Sequence, residues 1–137
     1  MTTDDCGVVG IVALMLVATA LASALAVFAG SQLIVARVEA ANAADAAALA
    51  AAPVTFRAFG ALGSPRSEAA RFARSNGARL TRCRCAVDRS MRRRTVEVEV
   101  AVVRVFWLLG TVSVHGTSRA EFDPSRLLEP GTNLPES

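Results

Sequence analysis

The sequence predicts an α+β chain: a long N-terminal transmembrane helix followed by a small head of one short helix and a three-stranded antiparallel sheet. Three observations carry that prediction. No charged residue occurs between Gly7 and Ala36, a stretch of roughly 30 residues where about 20 suffice for a helix to cross a bilayer. Ser64-Pro65 and Asn76-Gly77 bracket a short segment with start and stop residues of a helix. After Gly77 the apolar period switches from helical to two, as in half-buried antiparallel strands.

Residues 1–7 form a polar leader, and residues 8–52 form the transmembrane helix with an Ala-rich stalk. The span itself reads "VVGIVALMLVATALASALAVFAG" from Val8 to Gly30. It is longer than the 7–15 apolar residues of a secretory signal, and Asp4 and Asp5 replace the usual basic lead. Small-x-small sites at Ala22-Ser23-Ala24 and Ala24-Leu25-Ala26 still allow a competing reading, a soluble domain released by signal peptidase. Ala18, Ala22, Ala26 and Gly30 recur at every fourth position, a spacing that lets helices approach closely in lipid. The stripe resumes as Ala36, Ala40, Ala44, Ala48 and Ala52. An unbroken helix from Val8 to Ala52 would measure about 67 Å at ~1.5 Å per residue. High Ala propensity favours that continuity, and Pro53 is expected to end it.

Residues 53–63, "PVTFRAFGALG", read as a connector, and residues 64–123 as the head. In its helix Ser64 caps, Pro65 takes the first position and Glu68 suits the positive end. Ala69, Phe72 and Ala73 share one side, leaving Arg71 and Arg74 to solvent. The first strand, Ala78 to Val87, is expected to place Thr81, Cys83, Cys85 and Val87 on one face and Arg82 and Arg84 on the other. Asp88 to Arg93 is a polar turn. The second strand sets Val96, Val98, Val100 and Val102 against Glu97 and Glu99. The third sets Val112, Val114 and Ala120 inward, with Ser113, His115, Thr117 and Arg119 outward. Phe106, Trp107, Leu108 and Leu109 form an apolar hairpin tip. Residues 124–137, with three Pro and little to bury, are expected to be loose.

A head of under 90 residues buries only a thin core, and 53% hydrophobic residues with a mean hydropathy of +0.40 partly reflect the N-terminal run. The net charge is +3, all fifteen basic residues are Arg, and they crowd between Arg66 and Arg104. Cys83-x-Cys85 lacks the second Cys or His pair of a zinc site. Half-buried thiols are the expectation there, because same-face strand neighbours sit near the outer limit of disulfide spans. Export would permit a bridge. The single His115 lies on a polar strand face, Asp45 reads as a solvated or helix-packing residue, and Gly60-Ala61-Leu62-Gly63-Ser64 lacks the strand and Lys of a phosphate loop. No catalytic, cofactor or metal site is expected. Arg89 with Arg92, Arg93 and Arg94 is the one dense charge cluster; it could meet phosphates or anionic glycans or serve as a guard beside a β-prone strand.

Several segments together resemble one family. "DDCG" precedes the apolar run and "IVARVEAANAADAAALAAA" follows it. "SNGARLTRCRC" and "TVEVEVAV" lie further on. From about Asp4 to Glu121 the chain is similar to TadE-like proteins, pilin-related membrane proteins of Flp-type (tight-adherence) pilus systems, and most similar to a short actinobacterial branch. The resemblance implies a membrane-inserted N-terminal helix that packs into an assembly, with the head outside. It implies a role as minor pilin, pseudopilin or assembly factor. It also points to processing after Gly7, which would leave Val8 first. Val12 stands where pilins carry Glu, and Asp4, Asp5 and Cys6 stand where basic residues are usual.

The expected partners are the membrane and other pilin-like or Tad-type proteins, through homo- or hetero-oligomers of the N-terminal helix, with no nucleic acid. The alternative is a membrane-anchored envelope module whose Arg-rich head holds DNA or an anionic polymer. The bias of basic residues, none before the span and Arg37 after it, favours the head inside; the resemblance and the amphipathic head favour it outside.

Overall fold

The computed structural model describes residues 4–56, 63–106 and 110–128. The elements are α1 (Asp4–Val54), α2 (Pro65–Ser75), β1 (Arg79–Arg84), β2 (Arg94–Phe106) and β3 (Gly110–Phe122), with a 3-10 turn at Pro124–Leu128. The three strands form one antiparallel sheet in the order β1-β2-β3. The chain falls into two compact units, Met1–Val35 and Ala36–Ser137.

In the first unit α1 presents apolar side chains to its surroundings: Leu14 is 71% exposed and Val27 73%. The few polar side chains turn back on the helix. Thr19 Oγ1 donates to the Met15 carbonyl at 3.0 Å, Ser23 Oγ to the Thr19 carbonyl at 3.0 Å and Ser31 Oγ to the Phe28 carbonyl at 2.8 Å. A hydroxyl satisfied in this way can enter hydrocarbon without an orphaned donor.

The second unit begins inside the same helix. Ala36, Ala40, Ala43, Ala44, Ala47, Ala48 and Ala51 are all buried to within 1%, a repeat of three and four residues that marks one helix face. The sequence reading of this stretch as a stalk in water is therefore corrected: it is a core helix of the head. The sheet supplies the reason. Val96, Val98, Val100 and Val102 form a face buried to within 1%, each side chain worth about 1.5–3 kcal/mol when withdrawn from water. The eleven residues of α2 bury only Pro65, Ala69 and Ala73, too little to cover that face.

Gly116 fixes how closely α1 approaches. It lies opposite Val100, and a Cβ placed on it would overlap the Ala40 carbonyl and come within 2.9 Å of the Ala41 nitrogen. Helix backbone thus rests directly on strand backbone, a contact that alanines on one side and a glycine on the other make possible.

At the end of α1, Pro53 is inside the last turn and the helix stops one residue later. The chain closes with tighter bonds, Thr55 N to the Ala52 carbonyl at 3.2 Å and Phe56 N to the Pro53 carbonyl at 3.1 Å. α2 matches its expected punctuation. Ser64 and Ser67 cap each other reciprocally, while Gly77 (φ +73°) sends the Gly77 and Ala78 amides back to the Arg74 and Ala73 carbonyls at 3.0 and 2.9 Å.

β2 and β3 follow the predicted alternation. Val114 and Ala120 are buried, Val112 half-buried, and Ser113, His115, Thr117 and Arg119 exposed. β1 differs in two ways. It ends at Arg84, and its register against β2 shifts between Leu80 and Arg82. Leu80 opposite Val100 and Cys83 opposite Val98 then share the inner face, and Thr81 is the extra residue of a bulge. Thr81 Oγ1 satisfies itself on the Glu99 carbonyl at 2.9 Å. The expected tail also starts in order: Pro124 is buried, and Ser125 N and Oγ donate to Asp123 Oδ1 at 3.1 and 2.6 Å. Residues 57–62 of the connector, Trp107, Leu108 and Leu109 of the hairpin tip, and 129–137 of the tail lie outside the described residues.

Candidate functional site

The apolar segment of α1 carries most of the exposed large apolar side chains among the described residues. Ala18, Ala22, Ala26 and Gly30 are all exposed on it, and nothing lies within 4 Å of a Cβ built on Gly30. Val9–Val54 contains the one described helix long and apolar enough to cross a membrane, with a mean hydropathy of 2.6 over its best window and none of that window buried. Gly7 and Val8 are helical. Val12, at the position where pilins carry Glu, is 52% exposed.

Arg92, Arg93 and Arg94 are not brought together as a single cationic patch. Arg94 turns into the structure and donates to four backbone carbonyls: Thr55 at 3.2 Å, Asp88 at 2.5 Å, Arg92 at 3.2 Å and Ser90. Its guanidinium carbon also lies 5.5 Å from the centre of the Phe56 ring. Asp88 N donates to the Thr55 carbonyl at 3.0 Å, so this Arg locks the exit of α1 to the β1–β2 loop. Arg93 faces Glu121 at 3.5 Å and Asp123 at 3.8 Å. Arg92 is exposed. No sequence signal distinguishes Arg94 from its neighbours except that it opens the alternating strand.

Glu97 and Glu99 organise the outer face. Glu97 meets Arg84 at 3.4 Å and Arg119 at 3.6 Å, while Glu99 meets Arg82 at 3.0 Å and His115 Nδ1 at 3.5 Å. Each carboxylate of the central strand thus meets an Arg of β1 on one side and, on β3, either Arg119 or the His115 ring on the other. Arg104 pairs with Glu39 of α1. The carboxyls of Asp88 and Asp123 lie below the ordinary carboxylate value, held there first by the side-chain hydroxyls of Ser90 and Ser125 and then by the backbone amides of the same residues.

Cys83 and Cys85 are joined by a disulfide with a Cα–Cα distance of 5.4 Å. This replaces the expected thiols. β1 stops at Arg84, and the separation of the two Cα atoms falls inside the range a bridge requires. Among the described residues no three His, Cys, Asp or Glu side chains gather as a metal site. Asp45 is exposed on α1.

No curated protein and no solved structure matches the chain. Residues 7–55 match the family model of TadE/G-like Flp pilus assembly, a span that covers the exposed apolar helix, its small-residue stripe and the buried alanine face. An apolar helix long enough to cross a bilayer, continued by an alanine face under a valine sheet, is what that model covers here, and over these residues the chain is similar to TadE/G-like Flp pilus-assembly proteins.

Proposed function

We propose that this protein is a minor pilin, pseudopilin or assembly factor of a Flp-type pilus or secretion system, acting by helix packing and subunit contacts and not by catalysis. The observation that carries the reading is the exposed stripe of Ala18, Ala22, Ala26 and Gly30 within the segment that the TadE/G-like model covers. In lipid, small residues at this spacing let a second helix approach closely enough for dispersion to hold it. The head faces the outside; the Cys83–Cys85 disulfide suits an oxidising compartment. Processing after Gly7 releases Val8 as the first residue.

Replacing Ala22 and Ala26 with Leu in the full chain tests the packing. Co-purification with the other membrane proteins of the pilus system should fall at least tenfold while membrane retention stays the same. Unchanged co-purification would remove the helix-packing role. Capture of DNA or anionic polymer by the head is less well supported, because Arg93 and Arg94 are engaged internally and Arg82, Arg84 and Arg119 already face carboxylates.

A further inference from the structure

The Cys83–Cys85 bridge is poorly placed to hold the fold together. Its sequence separation is 2, so the loop it closes contains Arg84 alone, and a cross-link restrains the unfolded chain less the shorter its loop. It ties no element to another: Cys83 is already held in β1 opposite Val98, and Cys85 follows directly after that strand ends. The head is held by other means. Its buried valine face meets the alanines of α1, and Arg94 locks the exit of that helix to the β1–β2 loop.

The bridge is, by contrast, open to a reactant. Both cysteines are half-buried and line a surface cavity of about 570 Å³ together with Thr55, Arg84, Asp88 and Arg94. Exchange needs such access, because a thiolate must approach one sulfur while the other departs. Charge favours the departure. The Asp88 carboxylate already accepts from the Ser90 amide at 2.9 Å and the Ser90 hydroxyl at 2.7 Å. Arg84 is partly neutralised by Glu97 at 3.4 Å, whereas Arg94 gives its hydrogen bonds to neutral carbonyls and keeps its charge. Cations beside a sulfur stabilise the thiolate over the thiol.

We propose that Cys83–Cys85 is an exchangeable disulfide that accepts two electrons from a closely spaced pair of thiols on a partner protein. Cys85, past the last ladder pair of β1, is the sulfur attacked, and Cys83, fixed in the strand, is the leaving group. A partner thiolate bonds to Cys85 Sγ as the Cys83–Cys85 bond breaks, and the electron pair of that bond leaves on Cys83 as thiolate. The partner's second thiolate then attacks the partner sulfur of the mixed disulfide and expels Cys85 as thiolate. The two protons given up by the partner's thiols end on Cys83 and Cys85. The partner departs with a disulfide of its own, and this chain is left as a dithiol. A dithiol is the fitting reactant, because a second thiol on the same molecule makes the resolving step intramolecular.

The test uses the full chain in detergent with Cys6→Ser, so that the bridge is the only source of thiols, and dithiothreitol as the dithiol. Opening is followed by maleimide capture and intact mass. The folded chain should open at least as fast as the same chain in urea. Reduced protein should keep the hydrogen-exchange protection of the Val96–Val102 amides within about twofold, because the bridge does not hold the sheet. In a glutathione buffer of cytosolic poise at least about a tenth of the chains should be reduced at equilibrium, where a structural bridge stays oxidised. Cys83→Ser, which leaves Cys85 free, should form a mixed disulfide with oxidised glutathione at least about threefold faster than Cys85→Ser. Opening more than about tenfold slower in the fold, or a bridge that stays oxidised in glutathione, would overturn the proposal. Loss of protection on reduction would also overturn it, by making the bridge a structural tie. Faster capture through Cys83 would overturn the assignment of Cys85 as the entry sulfur.

Discussion

Of the described glycines, Gly116 alone has the backbone of another element within 3.0 Å of where a Cβ would sit. Gly116→Ala adds one methyl group where the Ala40 carbonyl already sits. The obstructing atoms are backbone, so no rotamer change removes them; the helix or the strand must shift. Overpacking of this kind costs about 1–3 kcal/mol, and a backbone obstruction belongs at the upper end, near 3 kcal/mol. Against this, Ala in a strand interior gains about 0.5–1 kcal/mol over Gly in conformational entropy. The net loss should be roughly 2 kcal/mol, about a 25-fold change in equilibrium. Hydrogen exchange of the β2 amides from Val96 to Val102, measured on full-length protein in detergent, should accelerate by about that factor. Because the clash involves Ala40 main-chain atoms, Ala40→Gly should not rescue it. Slower exchange in Gly116→Ala, or full rescue by Ala40→Gly, would refute the backbone contact.

Further outcomes follow from other contacts. Ala44→Leu, which pushes a larger side chain into a site with no exposure, should destabilise the head by about 1–3 kcal/mol, whereas Leu49→Ala at a 68% exposed position should change thermal stability by less than about 0.5 kcal/mol. Arg94→Lys keeps the charge but cannot reach four carbonyls from one planar group; a loss of about 1–3 kcal/mol is expected, with proteolytic nicking appearing between Thr55 and Ser90 first. The Asp88 carboxyl is lowered in the folded state. Its contribution should therefore be fully present above the ordinary carboxylate value and be lost as pH falls through the folded value; proton NMR of Ser90 should stay flat at neutral pH and shift only in acid, and a midpoint above the ordinary value would contradict the Ser90 bonds. Alkylation of the unfolded, non-reduced chain should label neither Cys83 nor Cys85.

Much of the head was legible because a period of two admits few alternatives. The Val96-to-Val102 face, the outward Glu97 and Glu99, and the caps of α2 all follow from residue spacing and turn chemistry. The alanine face of α1 does not announce itself as core. Alanine is a strong helix former and a weak hydrophobe, so Ala36 to Ala52 carries the same signature in a stalk and in a core. The signal that could have separated them was elsewhere, in a valine face larger than α2 can cover. The bulge at Thr81 and the short end of β1 carried no Gly or Pro to mark them, and with them went the register of Leu80 and the spacing of the cysteines. Adjacency groups Arg94 with Arg92 and Arg93, although Arg94 opens the strand and bonds the carbonyls of Thr55, Asp88 and Ser90.

The shared carboxylates of β2 have a further consequence for fidelity of folding. A one-residue slip of β3 would turn its buried face outward and is excluded by the pleat alone. A two-residue slip preserves the pleat, and here charge and shape oppose it together. Advancing β3 by two places Glu121 opposite Glu97, in exchange for the Arg119 partner of the native register. The same slip withdraws Gly116 from beneath Ala40 and brings Ser118 there, with a side chain the helix cannot accommodate. Odd errors are rejected by hydrophobicity, a two-residue advance by electrostatics and crowding, and the reverse slip by the crowding of Val114 beneath the helix, so a hairpin with repetitive valines still pairs in a single alignment.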